Sequence, residues 1–86
     1  MVKIRQGRND DNLGKNIRRL RVENGLPQEG IVAQMQLLGA DIFRGTYSQI
    51  ECGISNIKVE ELLALCKIFR CEISDFFNGI ELIKGI

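Results

Sequence analysis

The 86-residue chain has no histidine and no tryptophan, and only one proline and one tyrosine. Without histidine, the side chain that most readily exchanges protons near neutral pH, triad-type hydrolysis and imidazole-held metals are excluded. The three cysteines, Cys52, Cys66 and Cys71, lack CxxC spacing, which argues against a zinc site and a disulfide scaffold. Cys66 and Cys71 read as small packing residues. There is no GxSxG motif and no phosphate loop, and the carboxylates are scattered. No catalytic residue, cofactor or metal is therefore expected. No apolar stretch approaches the roughly 18 residues of a membrane span. The start, Met1 to Gln6, lacks the apolar core of a secretory signal. A cytoplasmic protein without a membrane partner is expected.

What is present is one domain's worth of chain, 44% hydrophobic and 27% charged. The net charge of +1 is distributed unevenly. Residues 1–21 hold seven basic side chains against two acidic ones, and residues 22–86 hold five against nine. That asymmetry suggests one surface suited to a polyanion. Residues 1–11 are polar and without period, and read either as a flexible basic arm or as a functionless start.

Residues 12–79 read as five short helices with short joints, a compact all-α domain without a strand pair. The first runs from about Leu13 to Asn24, with Asp11 or Asn12 as cap and Gly25 as a left-handed stop. Its inward stripe is Leu13, Ile17 and Leu20. The second begins near Pro27 and buries Ile31, Val32, Met35 and Leu38, with Ala33 small enough for a tight crossing and Gly39 as stop. A turn, Gly39 to Ile42, leads to a third helix over about Phe43–Cys52. The fourth covers about Val59–Phe69, burying Val59, Leu62, Leu63, Cys66 and Phe69. The fifth covers about Ile73–Asn78. Residues 80–86 form an apolar tail, and could be extended. Ile80, Leu82, Ile83 and Ile86 suit a dimer contact or packing back onto the fifth helix.

The third helix separates two kinds of side chain. With Phe43 at zero and about 100° per residue, Tyr47, Ile50 and Thr46 fall at about 40°, 340° and 300°, one apolar or semi-apolar stripe. Arg44, Ser48, Cys52, Gly45 and Gln49 occupy about 100–240°, with Glu51 at the border near 80°. The outward side thus carries no acid and presents groups that match base edges: arginine for guanine, glutamine for adenine, serine for a base or phosphate. Gly45 removes bulk from it. An ordinary solvated face fits the same pattern.

Leu13-Gly14-Lys15-Asn16-Ile17-Arg18-Arg19-Leu20-Arg21, followed by Asn24-Gly25-Leu26-Pro27-Gln28-Glu29, resembles the opening of lambda-repressor-like, xenobiotic-response-element-type (Cro/repressor) domains. Arg44-Gly45-Thr46-Tyr47-Ser48-Gln49-Ile50-Glu51-Cys52-Gly53 is similar to their recognition helix. Glu61 to Phe69 and Ile73 to Phe77 are similar to their fourth and fifth helices. The resemblance covers about residues 13–77. It implies a five-helix fold with helices two and three as a helix-turn-helix. It also implies regulation of transcription, usually by a homodimer on a roughly palindromic double-stranded operator. By position, Arg44, Gly45, Ser48 and Gln49 match base-facing sites. Gln28 matches a residue that touches a phosphate and braces the recognition helix, Thr46 one near the backbone, and Arg18 a backbone-contacting site. Ala33, Ile50 and Leu62 match core positions. Arg19 and Arg21 join Arg18 as phosphate candidates through the density of charge there.

The chain departs from the family in three places. Pro27 stands where Thr or Ser is usual. About four residues are added near Gln36-Leu37-Leu38-Gly39, roughly one helical turn. Phe43 replaces the usual capping Ser or Thr, leaving the cap to Asp41 or the backbone and freeing Phe43 to pack as a staple. The leading expectation is a sequence-specific DNA-binding regulator, a repressor by family habit. The other is a protein-interaction adaptor of the same fold, which the small net charge suits. An exposed Cys52 is passive or, less simply, redox-sensing.

Overall fold

The computed structural model describes residues 13–78 and the backbone of Lys3–Ile4. The expected cap at Asp11 or Asn12, the tail 80–86 and most of the basic arm lie outside the described residues. Four α-helices form: α1 (Leu13–Glu23), α2 (Gln28–Leu37), α3 (Arg44–Glu51) and α4 (Val59–Phe69). They are followed by a 3-10 helix, Ile73–Phe77. The anticipated fifth α-helix is thus a single tight element, too short for an α-helical hydrogen-bond ladder and held by packing. The expectation of no strand pair is also corrected. Strand β1, Lys3–Ile4, pairs antiparallel with β2, Ile57–Lys58, with Lys3 opposite Lys58 and Ile4 opposite Ile57. Two residues of the presumed arm are therefore in a ladder.

Each helix stops for a local reason. Gly25 and Gly39 take φ of 67° and 92°, and a Cβ at either would meet nothing within 4 Å. Backbone conformation, not crowding, is what requires glycine there. Pro27 is the N-cap of α2, with φ −76° and ψ 161°, and its carbonyl accepts from Ile31 N at 3.1 Å. Phe43 caps α3 without a side-chain hydrogen bond, and its carbonyl accepts from Tyr47 N at 3.0 Å. Glu61 Oε1 accepts from Lys58 N at 2.8 Å, securing the start of α4. The connection after α2 is pinned by Gln36 Nε2, which donates to Ile42 O at 2.8 Å, while Ala40 and Ile42 enter the core.

One core joins all these elements. Leu13 and Ile17 of α1, Ile31, Val32 and Met35 of α2, and Tyr47 and Ile50 of α3 meet Ile57, Leu62, Ala64, Leu65, Phe69 and Phe76. α1 packs on α3 and the 3-10 helix, and α2 packs on α3 and α4. Helices α2 and α3, joined by the turn 38–43 and packed on each other, form a helix-turn-helix. Several expected core positions are outside instead: Ala33, Leu38, Val59 and Leu63 are exposed, and Cys66 is half-buried. On α4 the inward face is rotated toward Glu61, Ala64 and Leu65. Ala33 faces solvent because the side of α2 applied to α3 and α4 is the Ile31, Val32 and Met35 side. No helix among the described residues is long and apolar enough to cross a membrane.

Candidate nucleic-acid interface

The anchoring of α3 is of two kinds. Tyr47 and Ile50 are fully buried. Beside them Glu51, expected at the border of the outward face, is turned in with its side chain 2% exposed. Arg21 of α1 meets it in a fork, Nε to Oε2 at 2.7 Å and Nη2 to Oε1 at 3.1 Å. Arg21 Nη1 also donates to Leu26 O at 2.9 Å, and Gln28 Nε2 to Glu51 Oε1 at 3.1 Å. One carboxylate therefore ties the end of α3 to α1, to the turn before α2 and to the start of α2. The Tyr47 hydroxyl is buried against this pair without a hydrogen bond of its own. Burial, then the nearby carboxylate, push its ionisation upward.

Burial alone would raise the Glu51 carboxyl. Hydrogen bonding to the charged form, that from Arg21 foremost, outweighs it and holds the group below the ordinary range. The hydrogen bond to Glu51 raises the Arg21 guanidinium still further, so it stays charged. A carboxyl depressed in the folded state contributes stability above its unfolded value, about 4.3, and loses that contribution as pH falls through the lower folded value. Thermal unfolding followed from pH 6 to pH 2 is expected to show a falling midpoint below about pH 4.3. In Glu51→Gln that acid slope should be shallower; an unchanged slope would detach Glu51 from it.

The Arg21 side chain is 13% exposed, and its guanidinium is engaged on Glu51 and Leu26, where it braces α3. Gln28 is half-buried in the same network, its amide donating to Glu51 of α3. Arg18 and Arg19 are exposed on α1. Counting about 100° per residue, Arg18 lies about 60° from Arg21, whereas Arg19 lies about 160° away. Arg19 pairs with Glu23 at 3.3 Å, and with Arg18 it lines one surface pocket on α1 that also includes Lys15 and Val22.

On α3 Arg44, Gly45, Thr46 and Gln49 are exposed and Ser48 is half-buried, and the C-cap Cys52 is exposed. They form one polar side opposite Tyr47, Ile50 and Glu51. Gln49 Oε1 accepts from Ser55 Oγ at 2.9 Å, and its carbonyl accepts from Ile54 N at 2.9 Å, so the turn after α3 steadies this side chain. Thr46, placed with the apolar stripe by the projection, is on the open side. Phe43 is also outside, 70% exposed, and so neither a staple nor part of the anchor. At Gly45 a Cβ would meet nothing within 4 Å, so the protein's own packing does not call for glycine there.

One participant escaped the sequence reading. Arg44 Nη1 meets Glu29 Oε1 of α2 at 2.7 Å, with the two side chains 61% and 72% exposed. An acid in the first turn of a helix is an ordinary complement to the helix dipole, and nothing in the spacing pairs it with a residue 15 positions on. Glu51 was visible only as a border position, because its partner Arg21 is 30 residues away.

Among solved structures, the chain is similar to the restriction-modification controller protein C.AhdI from Aeromonas hydrophila. The TM-score is 0.66 at 25% identity, over 76% of this chain and 91% of that one. No protein-family model and no curated protein matches the chain.

Proposed function

We propose that this protein is a sequence-specific double-stranded DNA-binding regulator of transcription that reads the major groove with α3. The observation that carries this reading is the polar side of α3, with Arg44, Gly45 and Gln49 open to solvent and Ser48 half-buried among them, above a buried anchor. The likeness to a restriction-modification controller protein supports the regulatory assignment at a coarse level. In this reading Arg44 and Gln49 address base edges, Ser48 a base or phosphate, and Gly45 lets the backbone come close. Thr46, Arg18 and the basic N-terminal residues serve phosphates, which give affinity without sequence. Gln28 contributes through its brace on Glu51. The protein acts as a repressor and a homodimer on a roughly palindromic operator, since two-fold sites pair naturally with two-fold proteins. It acts in the cytoplasm by binding, with no reaction, cofactor or metal.

Selection from random duplexes at two salt concentrations tests the reading. An enriched palindrome with steeply salt-dependent affinity is expected. Arg44→Ala should then cost about 1–3 kcal/mol on the enriched duplex and relax a single base position. Equal losses on enriched and scrambled duplexes would remove Arg44 as a base reader. The net charge of +1 suits the adaptor reading, and the absence of any salt-dependent DNA affinity would overturn the DNA-reading role.

A further inference from the structure

We infer that Glu29 is a specificity-determining residue, one that positions Arg44 and penalises DNA lacking the right base. The inference rests on the DNA-reading role of α3 and deepens it. The Glu29–Arg44 pair is the one contact that links α2 and α3 on their open side through charged groups among the described ion pairs. It is too exposed to be a device of stability, since such pairs are screened and contribute little. Its effect is on where the guanidinium goes. A free arginine at the first turn of α3 would settle on any nearby phosphate, which carries no sequence information. Held at Nη1 by Glu29, Arg44 keeps the Nε and Nη2 side of its fork for an acceptor pair of the kind that guanine offers.

The carboxylate has a second consequence. It is the acid that stands beside the outward side of α3, a side with no acid of its own. Against a phosphate backbone it is repelled unless Arg44 remains between them. On the right sequence the arginine is shared between Glu29 and a base, and the negative charge stays neutralised. On the wrong sequence Arg44 must leave Glu29 to find a phosphate, and an unpaired carboxylate is left facing the DNA. Discrimination then comes from a repulsive element as well as an attractive one.

The test uses the full chain and the duplex enriched by the wild type, with a scrambled duplex as reference, and four proteins: wild type, Glu29→Gln, Arg44→Ala and the double variant. Glu29→Gln should bind the scrambled duplex several-fold more tightly. It should also lower the enriched-to-scrambled affinity ratio by roughly tenfold, with the loss confined to the base pair that Arg44→Ala relaxes. In the Arg44→Ala background the same change should leave the ratio unaltered. If Glu29→Gln shifts both duplexes equally, or still changes the ratio when Arg44 is absent, Glu29 acts only as bulk charge and the inference is overturned. If the wild type enriches no sequence, the DNA-reading role itself fails. The two failures are therefore distinct, and circular dichroism of each variant separates either from misfolding.

Discussion

Arg21→Met is expected to destabilise the folded chain by about 3–5 kcal/mol, measured by urea unfolding at neutral pH. The size follows from what is left behind. Glu51 has a side chain only 2% exposed, and its charge is satisfied by Arg21 and Gln28. Removing the guanidinium removes both arms of the fork and leaves a buried carboxylate with one neutral donor. Against the 5–15 kcal/mol that holds a typical domain together, the loss is a large share. The double change Arg21→Met with Glu51→Leu should return much of it, because a buried ion pair and a well-packed apolar pair are often near-equal in stability. A loss below about 1 kcal/mol in the single variant would mean that water reaches Glu51 and that the fork is not what holds α3.

The second large effect is expected at Phe76. Phe76→Ala should cost about 3–5 kcal/mol, again by urea unfolding. A five-residue 3-10 helix has no stability of its own, so the element stays where its side chains hold it. Phe76 is fully buried, with its ring centroid 6.3 Å from that of Phe69. Its carbonyl accepts from Asn16 Nδ2 at 2.7 Å, and the same amide reaches Asn78 O at 3.0 Å. The buried Asn16 thus clips the 3-10 helix to α1 by two backbone carbonyls, and loss of the ring should loosen both. A normal midpoint in Phe76→Ala would show that the Asn16 clip suffices.

Helical periodicity made the α-helices readable because each buries a stripe that local spacing determines. The expected Val59–Phe69 agrees with α4, and Gly25 and Gly39 end α1 and α2 as their residue type suggests. What spacing could not resolve is the phase of a stripe on a mostly apolar helix. On α4, Leu63 and Leu65 are equally apolar, and only the position of α2 decides that Leu65 goes inward. Ala33 is a similar case, since a small side chain is tolerated on either side. The β1–β2 pair and the Arg21–Glu51 fork were illegible for another reason: both join residues far apart in sequence, and neither two-residue strands nor a lone glutamate carries a local signature. For the candidate interface, the polar side of α3 was legible from the angles alone. Its charged neighbour Glu29 was not, because it belongs to a different helix.

The ladder between Lys3–Ile4 and Ile57–Lys58 bears on how the chain is assembled during synthesis. Helices α1 to α3 have the α1–α3 and α2–α3 contacts among themselves and can begin to gather as they leave the ribosome, but the earliest residues must wait for β2 to emerge. The Asn16 clip waits longer still, for Phe76 and Asn78. A nascent chain arrested before residue 57 would therefore hold α3 without either fastening, the first closing at residues 57–58 and the second at residues 76–78.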